Sequence, residues 1–226
     1  ISVSASKTLT VSAAQVTGQT ISGSGTTAIT ALHSTLGADL SNITSTSVTA
    51  AFDSSGTFTG NLGSAAVTVA SGQTLTTTAA IADGKTIAGS GTTAITALHS
   101  TLGANLANVD STTTTAAFDG SGTFTGTLDG AVVTVADGVT MTAAANVVAG
   151  ETVNKSSSGV LAVKVGTADA AVDLTTIGGT ALSTVTVFED TTFTGTLDDA
   201  LKTSVDSGQT LTTTAAIADG KTIAGS

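Results

Sequence analysis

The sequence predicts an all-β fold, namely a parallel β-solenoid with coils of about 22 residues and three coils in each repeat. Three observations lead to this prediction. The chain repeats itself at a fixed interval, each repeat consists of short segments rich in β-branched residues, and the 226 residues include no proline. Since proline interrupts the hydrogen bonding of a sheet, its absence favours continuous ladders of strands.

The repeat can be read directly from the sequence. Residues 20–70 align with 86–136 at a fixed offset of 66 and without a gap, and 39 of the 51 positions are identical. The chain begins within this pattern at "ISVSASKTLTV", and we take it as a piece of a longer protein. We expect one continuous array over 1–226, made of the repeats 5–70, 71–136 and 137–206, the last of them divergent, and a partial fourth repeat at 207–226.

Within a repeat, short strands alternate with polar turns. The segments "TLTTT", "KTIAG", "GTFTGTL" and "AVVTVA" show period-two alternation or β-branched character. The segments "ADGK", "DGSG" and "LDGA" combine Asp with Gly, which is typical of turns. Inward apolar side chains should fill a narrow core, and the predicted core residues are Phe52, Phe58, Leu75, Ile81, Ile87, Phe118 and Phe124.

One segment of each repeat departs from the strand pattern. In "AITALHSTLGADLSNI" the apolar residues Ile29, Leu32, Leu36, Leu40 and Ile43 are spaced by three or four, as on one face of a helix. The Thr, Ser and central Gly residues of the segment are unfavourable for an isolated helix. Two interpretations follow, either one short helix per repeat lying on the body of the protein or an irregular stretch of coil.

The repeat length distinguishes two all-β architectures. Ile81, Leu102 and Phe124 follow one another at intervals of about one third of the repeat, so that each repeat divides into three coils of one solenoid. The alternative is a string of small β-sandwich domains. However, a repeat of this length is short for a sandwich, no linker separates the repeats, and Trp is absent. The solenoid is therefore the predicted architecture.

Composition argues against several functions. The net charge is −10, with 16 acids against six lysines and no arginine, and only 3% of the residues are aromatic. Nucleic acids need basic patches and stacking platforms, and anionic membranes attract basic segments, so neither partner is expected. The chain has no cysteine for disulfides or Cys-based zinc sites and no apolar run long enough for membrane insertion.

The Thr-, Ala-, Gly- and Val-rich repeat "VTVASGQTLTTTAAIADGKTIAGSGTTAIT" resembles the tandem β-solenoid repeats of very large secreted bacterial adhesins and of related surface-layer or filament proteins. The resemblance covers essentially the whole chain and carries no catalytic motif. It implies an extracellular location at the bacterial cell surface and a structural role in a stiff rod, filament or surface assembly. The alternative is the stalk of a large adhesin that mediates surface attachment. Exposed ladder ends predict self-association of identical subunits, end to end or side by side.

The two histidines, His33 and His99, occupy equivalent positions in successive repeats. One interpretation is a metal-binding or pH-sensing ladder. In a stacked solenoid the two would lie roughly 14 Å apart, too far to share one ion, and neither has Glu or Cys nearby in sequence. We therefore expect a structural or solvated role for both.

Aspartates beside glycines are the other candidate ligands. Oxygen ligands on turns suit calcium, and a calcium-dependent module at solenoid turns or repeat interfaces is one interpretation. Asp-Gly is also a common turn sequence, and neither an EF-hand loop nor the calcium-binding nonapeptide is present, so turn chemistry is the preferred interpretation. The candidate calcium ligands are Asp83, Asp119, Asp129, Asp137 and Asp219, and no other cofactor is predicted.

Ice binding and catalysis are the remaining alternatives. Thr-x-Thr pairs that begin at Thr8, Thr57 and Thr74 have long and short gaps in alternation, which would not place one pair on every coil. For catalysis, no Ser/His/Asp spacing and no G-x-S-x-G motif occur. The neighbouring acids Glu189–Asp190 and Asp198–Asp199 are confined to the third repeat, and no Tyr or Trp is present to bind a sugar. We predict that the protein is not an enzyme and has no catalytic residues.

Overall fold

The structure, a computed structural model, describes residues 1–198 and 202–225, so that Asp199 and the last residue of the fourth repeat lie outside it. Backbone packing divides the chain into two compact bodies. The amino-terminal body comprises 1–96 and 104–115, and the carboxy-terminal body comprises 97–103 and 116–226. Strands account for 44% of the structure and helices for 13%, so the fold is mainly β with parallel sheets, as the sequence predicts.

Short strands make up the amino-terminal body. They are β1 (Thr8–Ser12), β2 (Thr26–Thr30), β3 (Ser47–Phe52), β4 (Gly56–Thr57), β5 (Ala66–Val69), β6 (Thr74–Thr78) and β7 (Ile87–Thr96), and β8 (Val109–Phe118) contributes residues to both bodies. The strands β1, β2, β3, β5 and β7 pair in parallel in this order, and β6 pairs in parallel with β4 and β7. Thr26 pairs with Ser47, and Thr49 pairs with Ala66 after a shorter step along the chain. Both steps are shorter than the predicted coil.

The carboxy-terminal body continues with the same kind of pairing. Its strands are β9 (Gly122–Phe124), β10 (Val132–Val135), β11 (Thr140–Ala144), β12 (Val153–Lys155), β13 (Val160–Val165), β14 (Leu182–Val187), β15 (Thr191–Thr192), β16 (Lys202–Val205), β17 (Leu211–Thr212) and β18 (Thr222–Gly225). The strands β9, β11, β13, β14, β16 and β18 pair in parallel in this order, as do β10 with β12 and β15 with β17. Leu161 pairs with Leu182, and Val185 pairs with Thr203, so the steps resemble those of the amino-terminal body.

Four-residue helices recur at equivalent places and are not predicted from the sequence. They are α1 (Ala13–Val16), α2 (Ala79–Ala82), α3 (Ala145–Val148) and α4 (Ala215–Ala218). In α2, Ala79 and Ala82 are fully buried, whereas Ile81 is partly exposed. Residues three apart share a helix face, so that the two alanines face the core and Ile81 turns away from it. The prediction that Ile81 is a core residue is therefore wrong, because period-two alternation does not hold within a helical turn.

The segment with helical spacing is not a helix. In the first repeat Thr26–Thr30 forms β2 and Leu32–Ser34 forms a 3-10 turn, and the second repeat has the same turn at Leu98–Ser100. Ala31 and Ala97, which precede these turns, have left-handed φ angles of 52° and 54°. A left-handed residue interrupts a right-handed helix. The coil interpretation is therefore correct and the helix interpretation is wrong.

Large apolar side chains fill the interior of both bodies. The predicted core residues that are fully buried are Phe52, Phe58, Leu75, Ile87, Phe118 and Phe124. In the third repeat Phe193 is also buried, at 1% exposure. Further 3-10 turns cover Thr167–Asp169 and Leu174–Thr176 in that repeat. Inward-pointing strand residues thus form the core, and turns and short helices carry the polar groups.

Candidate functional site

Each histidine is hydrogen bonded to an aspartate on a neighbouring turn. His33 lies in the 3-10 turn that follows β2, and Asp53 directly follows β3, which pairs with β2. Nδ1 of His33 contacts Oδ1 of Asp53, and in the second repeat Nδ1 of His99 lies 2.5 Å from Oδ1 of Asp119. All four side chains are partly exposed, so each pair bridges two turns at the surface.

In the second repeat the histidine also contacts a hydroxyl. Nε2 of His99 lies 3.1 Å from Oγ of Ser100, so that Asp119, His99 and Ser100 form a hydrogen-bonded chain of acid, base and hydroxyl. When Nδ1–H donates to the carboxylate, Nε2 accepts the proton of the hydroxyl. In the first repeat the equivalent Ser34 instead donates from Oγ to the carbonyl of Ala31 at 2.7 Å. The two repeats therefore differ here although both read "LHS".

The hydrogen-bonded series Asp119, His99 and Ser100 has the order of groups found in serine hydrolases, in which acyl transfer also requires N–H donors for the oxyanion. The backbone N–H groups of Ser100 and Thr101 donate to the carbonyls of Ala97 and Leu98, at 3.0 and 3.2 Å. They are therefore not directed at a developing oxyanion. We interpret the His–Asp contacts as bridges that hold neighbouring turns together.

Sequence reasoning identifies both histidines but misses their partners. His33 and Asp53 are separated by 20 positions in the sequence, and so are His99 and Asp119. The sequence offers one signal for these partners. The same separation recurs in both repeats, and it resembles the separation between residues of paired strands. Asp53 is absent from the sequence-based candidates, and Asp119 is predicted only as a calcium ligand.

The aspartates predicted as calcium ligands lie at turns, where two of them accept hydrogen bonds from residues about 20 positions further along the chain. Oδ1 of Asp83 accepts the backbone N–H of Asn105 at 2.8 Å. Oδ1 of Asp137 accepts the backbone N–H of Ser158 at 3.0 Å and its hydroxyl at 2.5 Å. The hydrogen bonds from Ser158 hold the pKa of Asp137 below its ordinary value. In both carboxylates Oδ1 thus accepts hydrogen bonds from protein groups.

The remaining three candidates are separate from one another. Asp119 pairs with His99, Asp129 has a left-handed φ of 49°, and Asp219 directly follows α4. Within residues 1–198 and 202–225, no group of three or more His, Cys, Asp or Glu side chains could hold a metal ion.

Two cavities occupy equivalent places in successive repeats. The first has a volume of about 360 Å³, and its lining includes Asn61, Ile81, Asp83 and Lys85. The second has a volume of about 270 Å³, and its lining includes the equivalent residues of the next repeat, which are Thr127, Val147, Ala149 and Glu151. The cation of the first cavity is therefore replaced by an anion in the second.

Lys85 and Glu151 both bond the backbone of a neighbouring turn. Nζ of Lys85 donates to the carbonyl of Gly63 at 2.8 Å, whereas Oε2 of Glu151 accepts the N–H of Gly130 at 2.9 Å. Burial raises the pKa of Glu151, and the charge of Asp129 adds to this effect. The two cavities thus lie at equivalent places and differ in charge, because the first is lined by a cation and an anion and the second by two anions.

A larger groove of about 650 Å³ lies on the carboxy-terminal body. Residues of β9, β11, β13 and α3 line it together with three residues that follow strands, and the lining includes Thr123, Thr142, Val147, Lys164, Phe188 and Asp206. Phe188 is 40% exposed, although the other five phenylalanines are fully buried. No residue of this groove is a candidate ligand in the sequence-based prediction.

In the described ranges 1–198 and 202–225, no helix is both long and apolar enough to cross a membrane. No family model matches the chain, and neither a curated protein nor a solved structure matches it.

Proposed function

We propose that the protein is a structural extracellular repeat protein whose parallel β-solenoid forms a stiff rod, filament or surface assembly of a bacterial cell. The common register of its strands is the observation that carries this proposal. Neighbouring strands run parallel, and many partners are separated by similar steps along the chain, as for Val67 with Ile87 and for Thr140 with Val160. A solenoid needs such steps, because each coil pairs only with the coil before it and the coil after it.

Interior contacts that recur between repeats also support the proposal. Oγ1 of Thr27 lies 2.7 Å from Oγ of Ser45 in the first repeat, and Oγ1 of Thr93 lies 2.6 Å from Oγ of Ser111 in the second. Each contact joins residues 18 positions apart, and both threonines are fully buried. Identical contacts at equivalent positions of successive repeats fit an architecture that lengthens by adding copies.

Mechanical strength follows from the same pattern. The backbone hydrogen bonds of parallel strands run along the stacking direction, and an apolar column of Phe, Leu, Ile and Val side chains runs inside them. Many weak bonds must then break together before one coil separates from the next. The net charge of −10 keeps the outer surface hydrated.

The test is to insert three further copies of residues 71–136 directly after residue 136. In a solenoid each copy adds three coils, or about 14 Å at about 4.8 Å per coil. Small-angle X-ray scattering should therefore show a maximum dimension longer by roughly 43 Å, with an unchanged cross-sectional radius of gyration. A particle that widens in every direction, or a flexible string of separate domains, overturns the solenoid.

Imaging and surface labelling test the cellular role. Ordered filaments or lattices in electron micrographs of the purified chain favour the structural assembly, whereas separate rods favour the adhesin stalk. Antibodies against the chain should label intact cells of the source organism. Labelling that requires permeabilised cells contradicts the extracellular location.

A further inference from the structure

Three positions of the third repeat carry side chains unlike those at the equivalent positions of the second. Strand pairing identifies the first of them. Thr78 pairs with Thr96 in the second repeat, and Ala144, the equivalent of Thr78 in the third repeat, pairs with Lys164. A cation therefore stands where the second repeat has the hydroxyl of Thr96.

Backbone hydrogen bonds identify the other two positions. The N–H of Ala136 donates to the carbonyl of Phe118 at 3.0 Å, and the N–H of Asp206 donates to that of Val187 at 2.9 Å. Val187 thus takes the place of Phe118, and both are buried. The exposed Phe188, which follows Val187, stands where the second repeat has an aspartate, and Asp206 stands where it has an alanine.

The three replacements meet in the groove of about 650 Å³. A Cβ at Gly166 would lie 3.0 Å from two ring carbons of Phe188, so the ring rests on the backbone of Gly166 and is held in place. Ala144 and Val147 add apolar surface to the lining. A cation, an anion, an aromatic ring and apolar side chains around one cavity form the composition of a ligand site.

The two charged groups of the groove are Lys164 and Asp206. Among residues 1–198 and 202–225, neither Lys164 nor Asp206 forms an ion pair. Lys164 is one of only six lysines in a chain of net charge −10. A ligand with one anionic and one cationic group therefore complements the groove better than a singly charged ligand.

The register gives the separation of these two groups. Lys164 pairs with Thr186, Thr186 pairs with Ser204, and Asp206 is the second residue after Ser204. Two strand spacings of about 4.8 Å and two residue rises of about 3.3 Å place the Cα atoms of Lys164 and Asp206 about 12 Å apart. An extended tripeptide has about 10 Å between its terminal ammonium and carboxylate groups.

We propose that this groove binds short apolar peptides with free termini. Lys164 binds the terminal carboxylate, and Asp206 binds the terminal ammonium beside the ring of Phe188, which adds a cation–π contact. Apolar side chains of the peptide pack against Ala144 and Val147. This site is independent of the structural role, so that the loss of one leaves the other testable.

Fluorescence of a tryptophan-containing peptide measures the binding directly, because the chain itself has no Trp or Tyr. Leu-Trp-Leu with free ends, titrated at low ionic strength, should show saturable binding at one peptide per chain. The same peptide acetylated at its amino end and amidated at its carboxyl end should bind at least tenfold more weakly. Equal affinity of the free and blocked peptides, or no saturation up to about 10 mM, overturns the proposal.

Variants that restore the residues of the second repeat assign each contact. Lys164→Thr, Asp206→Ala and Phe188→Asp should each weaken binding at least tenfold, and melting curves check that each variant folds. Lys155→Thr removes a lysine that does not line the groove and is the matched control. A loss with Lys155→Thr as large as with Lys164→Thr would indicate a general charge effect and overturn the site.

In two of these variants, blocking one end of the peptide should no longer weaken its binding. In Lys164→Thr, amidation of the peptide carboxyl group should cause no further loss, and in Asp206→Ala, acetylation of the ammonium group should cause none. Sedimentation velocity tests whether a second copy of the chain occupies the groove in place of a peptide. A change in oligomeric state with Phe188→Asp, without a change in peptide affinity, overturns the peptide site.

Discussion

Lys85 and Glu151 occupy the same place in successive repeats, where each bonds the backbone of a neighbouring turn. Their opposite charges are tolerated because the bond is made at the surface, where a donor can replace an acceptor if the facing backbone group changes with it. Inward positions keep an apolar side chain: Phe52 and Phe118 are both 0% exposed at equivalent positions, and Val187, which takes their place in the third repeat, is also buried. At the residue scale, the repeat therefore preserves its interior and varies its surface chemistry.

Glu151 gives a prediction with a defined sign. Because burial raises its pKa, the carboxyl group holds its proton more tightly in the folded than in the unfolded chain. Its contribution to stability therefore falls as the pH rises from the ordinary glutamate range through the raised pKa and stays constant above it. The variant Glu151→Gln keeps an oxygen acceptor for Gly130 and removes this titration. In melting curves between about pH 4 and pH 7, the wild-type Tm should fall relative to that of Glu151→Gln as the pH rises, and parallel curves contradict the prediction.

Segments of the chain that lie side by side approach one another closely at several glycines. A Cβ at Gly25 would lie 2.3 Å from the carbonyl oxygen of Ser4, and one at Gly91 would lie 2.4 Å from that of Ala70. Both contacts are to backbone, which cannot move aside as the end of a flexible side chain can. At the scale of elements, these glycines set how tightly neighbouring strands pack.

The variant Gly91→Ala tests this close approach. The added methyl group overlaps the Ala70 carbonyl, so the free energy of unfolding should fall by about 1–3 kcal/mol. Gly37→Ala is the matched control, because a Cβ there meets nothing within 4 Å, and it should change the value by less than about 0.5 kcal/mol. Urea unfolding followed by circular dichroism measures both. Similar losses for the two variants would show that the close approach is not what limits stability.

At the scale of the whole molecule, aspartates contribute to the strongly acidic charge and also act as internal acceptors. Asp83 and Asp137 accept hydrogen bonds from turns further along the chain, and Asp119 pairs with His99. Each of these carboxylates thus has at least one protein partner. We therefore expect the fold to keep its stability when divalent cations are removed.

Removal of divalent cations tests this view of the aspartates. The Tm in excess EDTA should agree with the Tm in millimolar calcium within about 1 °C, because a ligand that does not bind the folded chain cannot stabilise it. Differential scanning calorimetry at constant ionic strength makes the comparison. A Tm that rises steadily with calcium and falls with chelator would support the calcium-dependent module instead.

Much of the fold can be predicted from the sequence, and the exceptions have identifiable causes. Alternation along strands places Phe58, Leu75 and Phe124 in the core, because a strand turns successive side chains to opposite faces. Ile81 is the exception, since a four-residue helix replaces the strand there. The helical spacing from Ile29 to Ile43 is misleading, because inward residues of irregular coil can share that spacing without forming a helix.

The candidate sites are much less accessible to sequence reasoning. His99 and Asp119 meet from neighbouring turns, and the groove collects Lys164, Phe188 and Asp206 from three successive segments of the chain. No motif joins such residues, since their separation depends on the lengths of the intervening turns. The repeats differ in length here, so strand pairing is needed to show which residues of the second repeat are equivalent to the three groove residues.

The repeat, the mainly β class and the inward apolar residues follow from the sequence alone, because each depends on local periodicity that a single chain displays. Which side chains of different strands come together was decided by the tertiary structure. Turns and four-residue helices set how many residues separate one paired strand from the next. More residues separate Leu161 from its partner Leu182 than separate Thr49 from its partner Ala66. These separations determine which surface residues come together. Local periodicity states only whether a residue points inward or outward, so the His–Asp bridges and the groove of the third repeat required the folded chain.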